Sequence, residues 1–180
     1  MCCNFIENGM PKCFEYFSST NSLVFDEFKI LVLKEVSKLD FAIKRSILLP
    51  NSVTGNSKKN THFHLCSWED NSVPLTKEYF GVLNYAIFLI QHKLQKHLGK
   101  ALIHCSAGIG RTGVVICIYE LVTSLQCQLE NTEVPSVSVF GTVRKLREQR
   151  WGMVATEAQY EFIYRFMDYW IAAYIYSNEN

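Results

Sequence analysis

The chain has 180 residues, 48% of them hydrophobic, with 18 Lys and Arg against 17 Asp and Glu and a formal net charge of +1. That length can bury a substantial core, and one soluble domain spanning 1–180 is expected. So even a charge balance gives no electrostatic case for nucleic acid or a membrane surface as partner.

In chain order, residues 28–36 and 41–49 carry β-branched and aromatic side chains at strand lengths. Residues 50–60, rich in Asn, Ser, Gly and Lys, read as a flexible surface loop, and the alternation over 61–68 predicts a third strand. Phe80, Leu83, Ile87, Ile90 and Leu94 recur at helical spacing within 76–97, with Gly99 as a stop. An apolar strand over 101–104 follows, then helices over 111–128, 138–149 and 156–176. The last contains an apolar run over 162–176, interrupted by Arg165 and Asp168; it is too short and too charged to span a bilayer and reads as a core helix. Seven cysteines, an odd number without framework spacing, point to a reducing, cytoplasmic compartment. His62, His64 and Cys66 share one strand face, but three ligands without a fourth nearby do not make a zinc site, so no metal and no cofactor is expected.

Residues 104–113 carry the chemistry: His104, Cys105, Ser106, Ala107, Gly108, Ile109, Gly110, Arg111, Thr112, Gly113. A phosphate must be met from several sides by N–H donors. A short loop entering a helix supplies them, because Gly108 and Gly110 tolerate the required backbone angles and obstruct nothing. Those donors, the helix terminus and Arg111 would lower the pKa of Cys105 and make it a thiolate, the form that attacks phosphorus. Arg111 offers a planar fork for two phosphate oxygens, and Thr112 can set its hydroxyl beside the sulfur. Ser106, Ala107, Gly108, Ile109, Gly110 and Arg111 are the expected phosphate-binding residues.

This string resembles the signature of the protein tyrosine phosphatases, the phosphotyrosine-specific branch of the cysteine-dependent phosphatases. The resemblance implies an α/β fold with a central twisted mixed sheet flanked by helices, and a reaction through a phosphocysteine intermediate. Trp68, Glu69, Asp70, Asn71, Ser72, Val73, Pro74 resembles the family's mobile acid loop, making Asp70 the proton donor to the leaving tyrosyl oxygen. Glu69 stands where the family has proline, and Ser72 where it usually has glycine. Proline would fix φ, so Glu69 is expected to shift the loop between open and closed forms.

Glu7, Lys12, Cys13 and Tyr16 resemble the family's glutamate loop and following strand, so Glu7 would orient Arg111. Residues 150–160 resemble its glutamine loop, with Ala155 where the family carries the glutamine that positions water for the second step. Gln159 matches the second glutamine and would partly substitute. The match runs over about 7–172 and implies a domain lacking the family's N-terminal part, including the loop that clamps the substrate ring. Short copies with eroded catalytic positions also resemble the tyrosine phosphatases of insect-parasitoid polydnaviruses, which would place the protein in host cytoplasm.

The expected function is a protein-tyrosine phosphatase of impaired activity acting on phosphotyrosine proteins, with no nucleic acid partner and no membrane span. The alternative is a non-catalytic phosphotyrosine-binding module that shields or traps substrates. A dual-specificity phosphatase would explain the short chain but not the glutamate-loop and glutamine-loop matches.

Overall fold

Strand-forming runs dominate the first third of the chain and helical periodicity the rest, and the structure divides accordingly. The computed structural model describes residues 1–38, 41–74, 76–96, 99–131 and 134–178. Two units result, Met1–Trp68 and Glu69–Asn180.

The first unit begins with a small hairpin of β1 (Ile6–Glu7) and β2 (Met10–Pro11). Asn8 and Gly9 both take positive φ at its turn, 50° and 75°, the arrangement that Asn-Gly favours between antiparallel strands. An antiparallel sheet follows in the order β3 (Leu23–Phe25), β4 (Phe28–Lys38), β5 (Ala42–Pro50) and β6 (Ser57–Leu65). Leu33 falls at an irregularity between Val32 and Lys34, where the β4–β5 register shifts. Glu35 lies opposite Arg45 across that ladder, and the buried Arg45 reaches it with Nε at 2.6 Å from Oε2. Arg45 Nη1 also donates to His64 Nδ1 at 3.3 Å, which leaves the other imidazole nitrogen to donate to the Cys3 carbonyl at 2.8 Å. His62 Nε2 meets the Tyr16 hydroxyl at 3.0 Å. The two histidines are thus part of the sheet's own hydrogen bonding.

The second unit is helical: α1 (Lys77–Gln95), α2 (Gly110–Leu129), α3 (Val139–Gln149) and α4 (Glu157–Asn178). Thr76 caps α1 by accepting from the Tyr79 amide, and Ser138 caps α3 by accepting from Gly141 N at 3.0 Å. Helix α2 is central and packs against the other three. Leu83, Ile87, Val114, Ile118, Leu121, Phe162, Ile163 and Phe166 are all essentially inaccessible to solvent. Each such side chain contributes about 1.5–3 kcal/mol by leaving water, so this cluster, and not the few polar links, holds the unit together. One polar link lies among them: Gln91 on α1 donates to Thr123 Oγ1 and Gln126 Oε1 on α2.

Four expectations are corrected in detail. The described ladders are all antiparallel, not mixed. Residues 101–104 join no ladder among the described residues; Leu102 is 87% exposed and the segment runs straight into the turns before α2. The expected loop over 50–60 is shorter: Ser57–Asn60 belong to β6, drawn in by backbone pairing with 47–50 despite their polar side chains. The strand expected to follow the glutamate loop does not form at Lys12, Cys13 or Tyr16; the strands of this stretch are the short β1, β2 and β3. The α/β class itself holds. Helix α2 is long and apolar enough to cross a bilayer, but half of its most apolar window is buried in the protein and its first turn holds a buried arginine, as befits a core helix.

Candidate active site

The turns at 106–109 deliver the chain into α2, with Gly108 at φ 71°, in the left-handed region that a side chain disfavours. Ile109 sits at the N-cap of α2 and has no side-chain acceptor to offer, so the positive end of the helix faces the loop that precedes it. Cys105 lies just before the turns, 7% exposed. Thr112, one turn into α2, donates its hydroxyl to the Cys105 sulfur at 3.1 Å.

Burial alone would push the Cys105 thiol up. It is outweighed by the Thr112 hydroxyl, the backbone N–H groups of Thr112 and Gly108 and the Arg111 charge, which bring the thiol below its ordinary value. Every one of those groups belongs to the loop or the first turn of α2. In the preceding residue, burial holds the half-buried His104 imidazole below its ordinary value, and its Nδ1 lies 3.3 Å from the Cys105 carbonyl.

Arg111 is 1% exposed, yet its Nη2 reaches Asp70 Oδ1 at 3.3 Å. Asp70 belongs to a tight turn: Ser72 donates to the Glu69 carbonyl through its amide (3.3 Å) and its hydroxyl (2.9 Å), and Asn71 takes φ 56°. The Asp70 side chain is one-third exposed, so the pair is partly screened and contributes at most about 1 kcal/mol. A thiol of lowered pKa, a buried guanidinium and a carboxylate thus converge at the head of one helix.

A protein-tyrosine phosphatase family model matches residues 1–169. The chain belongs to the protein-tyrosine phosphatase family. Tyrosine-protein phosphatase non-receptor type 20 of Rattus norvegicus is 32% identical over 162 residues, covering 88% of this chain and 35% of that protein. Tyrosine-protein phosphatase 2 of Dictyostelium discoideum is 30% identical over 159 residues, covering 88% and 41%. Receptor-type tyrosine-protein phosphatase eta of Homo sapiens is 34% identical over 160 residues, covering 88% and 11%. The chain therefore spans well under half the length of the curated relatives it matches.

In this family member the loop is braced from behind by the segment between α3 and α4. Val154 N donates to the Ile109 carbonyl at 3.1 Å, and Arg150 Nη2 donates to the Ala107 carbonyl at 3.1 Å. Val154 is fully buried at φ 60°, a conformation that costs a β-branched residue about 1–3 kcal/mol. The strain is held by Arg147, whose Nε and Nη2 donate to the Met153 and Val154 carbonyls, both at 2.9 Å. Gly113 is required by the same contact, since a Cβ there would stand 2.5 Å from Val154 N.

Gln159, 1% exposed, accepts the Ala155 amide on Oε1 at 3.0 Å, and its carboxamide packs where a Cβ on Gly110 would lie 3.0 Å from Nε2. The structure thus brings Gln159 against the loop. Ala155 itself is exposed and carries nothing that could hold a water. Glu7 lies on β1 in the first unit, buried, with Oε1 accepting the Asn4 amide at 2.9 Å. The roles of Arg147 and Arg150 escaped the sequence reading. The only available signal was two arginines three apart at the end of a helix.

Proposed function

We propose that the protein is a protein-tyrosine phosphatase that works through a phosphocysteine intermediate, with a slow second step. The observation that carries this reading is the Cys105 sulfur, lowered in pKa, 3.1 Å from the Thr112 hydroxyl, in the loop that leads to the buried Arg111. A phosphate on the Ser106–Gly110 amides takes over the Arg111 fork from Asp70. The thiolate then forms the S–P bond while the P–O bond to the tyrosyl group breaks, and Asp70, as its acid, gives that oxygen a proton. In the second step water adds to phosphorus, Asp70 takes its proton, and the S–P bond breaks to return the thiolate, eased by the Thr112 hydroxyl. Arg111 and the amides carry the equatorial oxygens throughout.

Glu7 is assigned to orient Arg111, and Gln159 to stand in for the missing glutamine. Ala155 offers no group to aim the water, and Glu69 removes the φ restraint a proline would give the acid loop. Substrates are phosphotyrosine proteins, and a cytoplasmic setting suits seven free cysteines. Ala155 also favours a second reading, a phosphotyrosine-binding pseudophosphatase that holds and shields its targets.

A single-turnover assay with an aryl phosphate separates the two readings, recording released phenol and phosphate retained on Cys105, with Cys105→Ser as control. The enzyme reading expects a burst of phenol with phosphate left on the cysteine and slow release thereafter. Neither burst nor turnover from folded protein that still retains phosphotyrosine peptides would overturn it in favour of the binding module.

A further inference from the structure

Arg150 lies outside the loop and touches neither Cys105 nor Arg111 in any recorded hydrogen bond, yet it grips the loop at one defined atom. Its Nη2 donates to the Ala107 carbonyl at 3.1 Å, and the same nitrogen lies 3.4 Å from where a Cβ on Gly108 would stand. The Ala107 carbonyl and the Gly108 N–H belong to one peptide unit. In a planar trans peptide they point in opposite directions, and the chain has no cis bond. Whatever holds the carbonyl toward Arg150 therefore turns the Gly108 N–H the other way, which is toward Cys105: that amide is among the hydrogen bonds that favour the thiolate.

The peptide needs holding. Gly108 sits at φ 71°, and glycine visits positive and negative φ almost equally, so the unit can rotate over and present its carbonyl oxygen to the sulfur instead. That orientation would replace a donor by a negative oxygen beside a negative sulfur. Gly110 and Gly113 are kept in place by Gln159 and Val154, but those contacts act beyond Ile109 and leave the 107–108 peptide alone.

We propose that Arg150 is a positioning residue for the nucleophile, fixing the Ala107–Gly108 peptide so that its N–H faces the Cys105 sulfur and the phosphate seat. This rests on Cys105 being the reactive thiolate of the proposed function. Arg111 lowers the Cys105 thiol by its charge and Asp70 is paired to Arg111, and substituting Arg150 removes neither. Arg150 is exposed and ends α3, so its loss removes no core packing.

The test is the pH profile of Cys105 alkylation by iodoacetamide in the full chain, read by mass spectrometry, for wild type, Arg150→Met and Arg150→Lys at low and high salt, with orthovanadate affinity measured alongside. The expected result is a midpoint that rises in Arg150→Met and is restored at least halfway by Arg150→Lys, a rise that persists in high salt, and about a tenfold loss of orthovanadate affinity. A rise that vanishes in high salt would mean that only the charge of Arg150 matters and would overturn the positioning role. So would an unchanged midpoint in Arg150→Met, which would leave the reading of Cys105 standing. A wild-type midpoint at the ordinary thiol value would sink that reading and this inference together.

Discussion

The loop that carries Cys105 and the loop that carries Asp70 are both short, polar connections, yet they are held in opposite ways. The first is fastened from outside: Ile109 by Val154, Ala107 by Arg150, Gly110 by Gln159, with Gly113 closing against Val154. The second is closed by the Glu69–Ser72 turn, and its carboxylate reaches Arg111 through a partly screened ion pair. A loop braced at several backbone atoms has one position. One tied by a partly screened ion pair can leave and return, as the proposed acid would have to do to admit and release substrate.

The largest expected effect breaks the second loop's chemistry without touching the first. Asp70→Asn removes the proposed proton donor and the carboxylate paired with Arg111, so phenol release should slow by about a thousandfold. Orthovanadate should bind at least as tightly as to wild type, because no carboxylate competes for the fork. Unchanged melting temperature with this split would place Asp70 in chemistry alone; weakened orthovanadate binding would contradict the assignment.

Gly113→Ala attacks the bracing of the first loop. In an ordinary helix interior this change stabilises by about 1 kcal/mol. Here the new Cβ meets a backbone nitrogen at 2.5 Å, and backbone cannot give way as a side chain would. Overpacking should dominate, with a net loss of about 2 kcal/mol and a fall in melting temperature of about 4–8 °C, together with loss of orthovanadate binding. A stabilised variant would show that the Val154 contact yields.

Ala155→Gln should sharpen the comparison from the water side. A carboxamide restored beside Gln159 should leave the phenol burst unchanged and speed phosphate release by about tenfold, as a water-positioning group does. If both phases stay as in wild type, the slow step lies elsewhere, with Glu69 the next residue to exchange, for proline.

What could be read from sequence follows the same division. The 104–113 string stood out because its glycines, cysteine and arginine would have to fall at fixed spacing for a phosphate to be bound. The four helices were legible from their apolar periodicity, to within about two residues at their ends. The braces were not. Arg147 and Arg150 act on carbonyl groups, which any donor of the right reach can hold, and Val154 hides a left-handed backbone behind a side chain that normally avoids it. The Asn8-Gly9 turn carried a plain hairpin signal, but the strands it joins are two residues each, too short for alternation to show. Ser57–Asn60 were hidden by composition, since a polar strand is specified by its partner's backbone and not by its own side chains.

The smallest effect concerns a contact between the loop and the helix, Thr112 Oγ1 on Cys105 Sγ. Cys105 has a folded pKa below its unfolded value, so its ionisation contributes stability that is fully present above the unfolded pKa and is lost as pH falls through the folded one. Between those two values stability rises with pH. Thr112→Ala removes the largest of the groups that favour the thiolate, while burial, which opposes it, remains. The alkylation midpoint of Cys105 should therefore move up, with exposed Cys127 in the same chain as the internal reference, and the window of pH-dependent stability should narrow from its lower end. The braced backbone should keep orthovanadate binding at high pH nearly unchanged. A midpoint that does not move would mean that the Gly108 and Thr112 amides and the Arg111 charge hold the thiolate without the Thr112 hydroxyl.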